Sequence, residues 1–382
     1  MLFLLNESLA IGVPHFLLPK SIQNYDNYLI SLGDMCKWLA ERAQELGVEI
    51  FTGFAGDEIL YDPTGTKVIG VATGDFGISK TGEPKSNYAR GMELLANQTI
   101  FAEGVRGSLS ERVIEKFNLR ANCDPQTYGI GLKEIWEVKP AKFKSGLVEH
   151  TVGWPLRRHE YGGSFVYHIE PNQVHIGFVV ALDYKNVYLS PYEEFQKFKT
   201  HKKIREVLEG GHCISYGARA LNEGGYFAVP KLTFPGGVLV GCSAGLLNVM
   251  KIKGSHNAMK SGIVAADAIY PKVTQDENRA LGEEIKEYEE NMKKSWVFEE
   301  LHLSRNFKAA WKYNLYAGLA YGAFINFFSK GREFWNMRNK KKDSTRLLAK
   351  EFCIPINYKK PDGVLTFDIL TNLERRFVFV IF

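Results

Sequence analysis

Cysteine is scarce in this 382-residue chain, with only Cys36, Cys123, Cys213, Cys242 and Cys353. No two have the spacing of a metal knuckle or a Cys-x-x-Cys redox pair, so neither a zinc site nor a disulfide framework is expected, and a reducing compartment fits. A large excess of charge is missing as well. The formal net charge is +5, with no basic arm and no RNA-reading aromatic pattern, which argues against nucleic acid as a partner. No internal repeat is visible. A complete Gly-x-Gly-x-x-Gly fingerprint is absent; the nearest approach, Gly129-Ile130-Gly131, lacks the third glycine and opens a strand-like run. Met1 to Leu5 is too short for a signal-peptide core and has no basic flank, and the N-terminus is not an Arg-rich transit peptide. "MLFLLNESLAIGVPHFLLPK" reads as the inside of a domain and "ERRFVFVIF" ends abruptly, so a chain incomplete at both ends is expected.

What is present is enough for two ordinary domains: 45% of the residues are hydrophobic. Leu32, Met35, Leu39, Ala43 and Leu46 share one face of a predicted helix from Ser31 to Leu46, with Gly47 as its stop. Strands are predicted at Val48–Thr52, Ala55–Tyr61, Val68–Thr73 and Thr99–Ala102, with a turn at Asp62-Pro63-Thr64-Gly65. Ser108 is placed to cap a helix running to Phe117. From about Gly129 the pattern changes to longer strands, clearest in the hairpin "GGSFVYHIEPNQVHIGFVVAL" and in Cys213–Leu221. After Ala266 it turns helical, with a polar surface helix from Gly282 to Trp296. The order suggests one α/β domain interrupted by a mostly antiparallel one.

The most informative stretch is "GCSAGLLNVMKIKGSHNAMKSG", Gly241 to Gly262. A short apolar strand, Val238 to Val240, leads through small residues into a helix poor in bulky side chains. Free N–H groups and the positive helix end make such a junction an anion or dipole site. Taken alone, the stretch fits a close-packed strand–helix junction equally well. Similarly, Glu103-Gly104 with Gly107 reads as a strand-to-helix turn, and Gly162-Gly163 as a turn or bulge. His159, His168 and His175 have no helical ligand spacing and read as ordinary sheet residues.

These motifs together resemble the electron-transfer flavoprotein–ubiquinone oxidoreductase family. The resemblance runs from about Leu5 to Leu370 and rests on "TIFAEGVRGSL", "ANCDPQTYGIGLKE", "HTVGWPL", "YGGSFVYH", "YGARALNEGG", "PKLTFPGG", "GCSAGLLNV", "KIKGSHNAMKSGI" and "KPDGVLTFD". It implies an α/β, glutathione-reductase-like FAD domain without its first βαβ unit, an inserted antiparallel sheet domain and a monotopic membrane segment. It also implies FAD contacts from Glu103, Gly104, Gly107, Gly241, Cys242, Ser243, Ala244, Gly245, Leu246, Asn248, Gly254 and Asn257, and a ubiquinone wall at Gly162 and Gly163. Met250 stands where the family usually has proline. The family's four-iron cluster is implied, but its cysteine ligands are absent from this chain, so no metal ligand and no acid–base residue is assigned.

Two apolar segments are membrane candidates. Leu315 to Phe328 is shorter than the ~20 residues that span a bilayer, is rich in aromatics, and precedes Lys330, Arg332, Arg338 and Lys340 to Lys342. The second is Val13 to Lys20. Buried core is the alternative for both. The resemblance favours membrane contact through Phe16, Leu17, Leu18, Leu315, Phe324, Phe327 and Phe328. It divides the chain into FAD-domain parts at 1–122 and 230–295, a ubiquinone-side sheet at 123–229, a membrane-associated region at 296–350 and the start of an iron–sulfur domain at 351–382. The implied activity is electron transfer from reduced electron-transfer flavoprotein to ubiquinone at the matrix face of the mitochondrial inner membrane, linking fatty-acid and amino-acid oxidation to respiration. A flavin-dependent isoprenoid (geranylgeranyl) reductase and a non-catalytic fragment are the alternatives.

Overall fold

A computed structural model describes residues 1–18, 28–275 and 282–375. Pro19 and Lys20 of the N-terminal apolar segment, and the last seven residues of the chain, lie outside the described residues. The chain divides into two compact units: Met1–Val48 with Thr127–Glu223 and Asn306–Phe382, and Glu49–Gln126 with Gly224–Arg305.

The first unit is built on a seven-stranded sheet. Its spatial order is His212–Asn222, Tyr128–Glu137, Gln173–Ala181, Gly162–Ile169, Val148–Gly153, Leu2–Leu5 and Ala10–Val13. All neighbours are antiparallel except Leu2–Leu5, which runs parallel to Val148–Gly153. Residues two apart on a strand share a face. Leu132, Glu134 and Trp136 therefore point the same way and are all buried, as are Val174, Ile176, Phe178 and Val180. The helices Pro191–Lys199 and Lys202–Leu208 add Phe195, Phe198, Ile204 and Leu208 to this core. Pro191 sits in the first turn, where no backbone donor is needed, and the Ser190 hydroxyl accepts from Glu193 N.

A fully buried ion pair sits in the middle of this apolar layer. Lys199 Nζ lies 2.9 Å from Glu134 Oε2 and 3.0 Å from Oε1. The carboxylate also accepts from Trp136 Nε1 (2.8 Å), Asn372 Nδ2 (2.8 Å) and Gln196 Nε2 (3.3 Å). Burial pulls the Lys199 ammonium below its usual range, and Glu134 opposes that pull. The ammonium also lies 4.6 Å from the centre of the Phe367 ring.

The second unit holds three small sheets. Thr233–Phe234, Gly237–Leu239 and Thr99–Phe101 form one, with the last two strands parallel. Gly56–Tyr61, Val68–Thr73 and Glu93–Leu95 form an antiparallel second, and Phe76–Ile78 pairs with Pro84–Ala89. The helices Ser108–Lys116, Ser255–Gln275, Lys286–Lys294 and Trp296–Leu303 belong to this unit. Its core joins Phe101, Val113, Phe234, Val238, Leu239, Ala265, Tyr288 and Met292.

Two expectations need correction, the strand at Val48–Thr52 and the cap at Ser108. Val48–Thr52 forms no strand. The expected helix is present as Leu32–Glu45 with Ser31 as its cap, and none of its residues is buried. Ser108 is the first residue of its helix, not the cap; Gly107 holds the cap position. The stretch Leu315–Phe328 is a helix only to Phe324 and continues as a wider turn, Ile325–Ser329. Among the described residues no helix is long and apolar enough to cross a membrane.

Replacing Lys199 by methionine would leave the Glu134 carboxylate in the core without its counter-ion. Urea unfolding should then show a loss of about 3–5 kcal/mol. Adding Glu134→Gln to that variant should recover part of the loss, because no isolated charge remains.

Candidate functional site

The strand Gly237–Leu239 ends at the extended residue Val240, and the chain reverses at Gly241 with φ +55°. Only glycine adopts this left-handed geometry without strain. A Cβ at Gly241 would also stand 3.2 Å from Ala258 Cβ. Gly241 N donates to Ser261 Oγ at 2.9 Å. The backbone thus comes close to the small face of the helix Ser255–Gln275, with Ala265 and Ser261 fully buried on it. After the tight turn Gly241–Ala244, Gly245 is left-handed again at φ +74°.

Ser243 ties this turn to the one after Thr99–Phe101. Its hydroxyl accepts from Gly104 N at 3.1 Å and donates to Gly104 O at 3.2 Å. Gly104 has φ +87°. Glu103 folds back over Gly107, where any Cβ would collide with its side chain. The Glu103 carboxylate accepts from Leu109 N (3.3 Å), Ser110 N (2.5 Å) and Ser110 Oγ (2.6 Å). It therefore caps the helix Ser108–Lys116 and meets the positive end of the helix dipole.

The structure brings Glu103, Gly104, Gly107, Gly241, Ser243 and Gly245 together within the second unit. Asn257 is fully buried; its Nδ2 donates to Leu246 O at 2.7 Å, and its Oδ1 has no donor. Asn248 pairs with Lys253 in an isolated bridge, and its Oδ1 accepts from Lys251 N at 3.2 Å. Gly254 has a local packing reason, since a Cβ there would press on Leu247 at 3.3 Å. Ala244 and Leu246 are buried, while Cys242 is partly exposed.

Gly162 and Gly163 open a central strand of the first unit. A Cβ on Gly162 would collide with the Val179 carbonyl, and one on Gly163 would lie 2.6 Å from Thr151 O. Close strand approach alone accounts for both glycines. His168 and His175 are strand residues, and burial lowers both, His175 to about 4. His159 is not in the sheet; it precedes the strand and lies 3.0 Å from Tyr313 O through Nδ1. Of the residues expected at a membrane, Phe16, Leu17, Phe327 and Phe328 are exposed and Phe324 is half-buried. Leu18 and Leu315 are buried, which corrects their assignment to a contact surface. Exposed Phe334, which the sequence reading missed, meets Trp335 edge to face at 4.9 Å, and Trp335 in turn stacks on Phe324 at 6.1 Å. Among the described residues no group of three or more His, Cys, Asp or Glu could hold a metal ion, and all five cysteines are free. A four-iron cluster does not fit these residues.

The fold is that of flavin-dependent proteins. A geranylgeranyl bacteriochlorophyll reductase-like protein from Thermoplasma acidophilum aligns with a TM-score of 0.54 at 16% identity, covering 78% of this chain and 72% of that one. The flavin-dependent brominase Bmp2 aligns at 0.50 with 16% identity, covering 78% and 67%. Sequence narrows the class. The chain is 48% identical to the mitochondrial electron transfer flavoprotein–ubiquinone oxidoreductase of Dictyostelium discoideum over 98% of its length, and 49% identical to that of Bos taurus over 97%. A family model described as "ETF-QO, ubiquinone-binding" matches residues 128–221. The chain is a homologue of the electron transfer flavoprotein–ubiquinone oxidoreductases. It spans 62% and 61% of the length of those two relatives.

Glu103→Ala should lower stability by about 1 kcal/mol in urea unfolding, because two helix N–H groups lose their acceptor. Glu103→Gln keeps an acceptor and should lose less. Equal stability of Glu103→Ala and the parent would remove the capping role.

Proposed function

We propose that the chain carries the flavin and quinone portions of an electron-transfer flavoprotein–ubiquinone oxidoreductase. The observation that carries this reading is identity of 48–49% along 97–98% of the chain, together with the ubiquinone-binding match at 128–221. Fold likeness alone does not choose between quinone and isoprenoid reduction.

FAD is the proposed cofactor, and the residues present fit it on two counts. Left-handed glycines at 104, 241 and 245 leave bare backbone at adjoining turns, and Asn257 Oδ1 is a buried acceptor without a donor. FAD would supply redox chemistry in one- or two-electron steps. Gly241 to Leu246 and Asn257 would hold it on one side, and Glu103 to Gly107 on the other. Glu103 acts there chiefly by fixing the helix Ser108–Lys116. No step is assigned to an iron–sulfur cluster, since the described residues hold no ligand set.

The division by function is 1–122 with 230–295 for the flavin, 123–229 for ubiquinone, 296–350 for the membrane and 351–382 for the start of an iron–sulfur domain. It differs from the compact units chiefly at the N-terminus, where Leu2–Leu5 joins the seven-stranded sheet. Gly162 and Gly163 are proposed to face the quinone ring in addition to their role in the sheet. The protein is proposed to work at the matrix face of the mitochondrial inner membrane, with electron-transfer flavoprotein as donor. Exposed Phe327, Phe328 and Phe334 beside the basic run to Lys342 support a monotopic contact with anionic lipid.

The test loads the chain with FAD, reduces it anaerobically and adds a short-chain ubiquinone. Stoichiometric reoxidation, with quinone-dependent protection of the 162–169 amides from hydrogen exchange, is the expected result. Reoxidation no faster than in buffer, or reduction of a geranylgeranyl chain instead, would sink the reading.

Binding to anionic liposomes should resist high salt in part, because apolar burial is not screened. Replacing Phe327, Phe328 and Phe334 by serine should weaken it more than replacing Lys340 to Lys342 by glutamine. Full release by salt would rule out an apolar anchor.

A further inference from the structure

A small cavity in the first unit has a consistent chemistry that neither the flavin nor the quinone reading uses. Its volume is about 40 Å³, and it is lined by His159, Tyr161, Asp183, Lys185, Lys308, Trp311, Lys312 and Arg346. That is room for roughly three waters, or one compact polar group. Four chain segments converge on it. His159 and Tyr161 precede the strand Gly162–Ile169, and Asp183 and Lys185 follow its neighbour Gln173–Ala181. Ala181 N donates to Tyr161 O at 2.9 Å, which holds these two ends side by side. Lys308 lies on the short helix Phe307–Ala310, Trp311 and Lys312 follow it, and Arg346 follows the turn Asp343–Thr345.

The cavity is built rather than incidental. Lys308 Nζ lies 3.6 Å from the Tyr161 ring centre and 2.6 Å from Glu223 Oε2. Tyr161 meets Trp311 edge to face at 4.9 Å. Arg346 pairs with Asp183 at 3.2 Å and donates to Asn339 Oδ1 at 2.9 Å. Yet two buried donors in this wall have no acceptor: Trp311 Nε1, on a side chain only 8% exposed, and Arg346 Nε. Buried donors almost always find partners. The Lys185 ammonium makes no ion pair among the described residues. Of the four cations that line the cavity, Lys308 is engaged by Glu223 and Arg346 by Asp183, and the exposed Lys185 ammonium is left without a counter-ion among the described residues. Asp343 lies close by, with Oδ2 accepting from Tyr128 N, and burial raises its carboxyl to about 6.

Donors without acceptors require an acceptor. The two N–H donors, with the Lys185 ammonium beside them, favour a negatively charged acceptor over a metal ion. We propose that this cavity binds a phosphate-type oxyanion, through Trp311 Nε1, Arg346 and Lys185. The oxyanion is either free phosphate or the headgroup of a phospholipid. The assignment does not rest on the flavin or the quinone, so its failure would leave those readings untouched.

Calorimetric titration of the full chain at pH 7 tests it. Inorganic phosphate is one probe and short-chain phosphatidic acid, below its micellar concentration, is the other. Chloride at matched ionic strength is the blank. Saturable one-to-one binding of at least one probe is expected, and the tighter probe identifies the source. Trp311→Phe keeps the ring but removes the donor, and should weaken binding about tenfold, as should Lys185→Gln. Exposed Lys80→Gln, in the other unit, should bind like the parent. Should Trp311→Phe fail to fold, judged by thermal melting without ligand, Lys185→Gln carries the test alone. No saturable heat beyond chloride from either probe, or parental affinity in a folded Trp311→Phe or in Lys185→Gln, would overturn the site.

Discussion

The seven-stranded sheet is organised around the charge of Glu134. A lone carboxylate on the inner face of a strand, between Leu132 and Trp136, would be incompatible with an apolar core. It is tolerated because five hydrogen bonds converge on its two oxygens, from Lys199, Trp136, Gln196 and Asn372. Those donors come from the strand itself, the helix Pro191–Lys199 and the helix Ile369–Glu374. One carboxylate therefore determines where a helix lies on the sheet and where a distant segment docks. Gln196 extends the arrangement by accepting from Phe367 N at 2.9 Å, and Tyr192 by donating to the carbonyls of Phe367 and Asp368. An apolar side chain at position 134 could fill the same space but could not specify these partners.

The second unit solves a different problem, that of bringing backbone close to backbone. Its glycines at 104 and 241 are not merely permissive. Ser243 reaches across to both the N–H and the carbonyl of Gly104, and Ser261 accepts from Gly241 N. Small hydroxyl side chains thus take up polar groups that the turns leave over, and they do so with little bulk.

Much of this was legible locally. The hairpin 162–181 shows as two apolar arms flanking a Glu-Pro-Asn-Gln turn, and both arms formed as strands. The misreadings have physical causes. Val48–Thr52 has strand-like composition, but a strand needs a partner, and pairing is not written in one segment. Ser108 stands three residues before Glu111, the pattern of a capping box, yet Glu103 reaches the helix first from across a left-handed glycine. Leu18 and Leu315 share the composition of their exposed neighbours, and only tertiary packing tells them apart. The cavity around Trp311 draws on four separated segments, none of which carries a recognisable motif.

The bond between Glu134 and Asn372 joins residues 238 positions apart in the chain. The strand Leu2–Leu5 likewise finds its parallel partner only at Val148–Gly153. A ribosome delivers a chain from one end, so the edge of Leu2–Leu5 that Val148–Gly153 covers stays open while more than a hundred intervening residues emerge. Glu134 and Lys199 can pair well before their last donor exists. For a large part of its synthesis the first unit is thus a sheet with an exposed edge and an incompletely solvated charge at its centre, the kind of species that molecular chaperones retain.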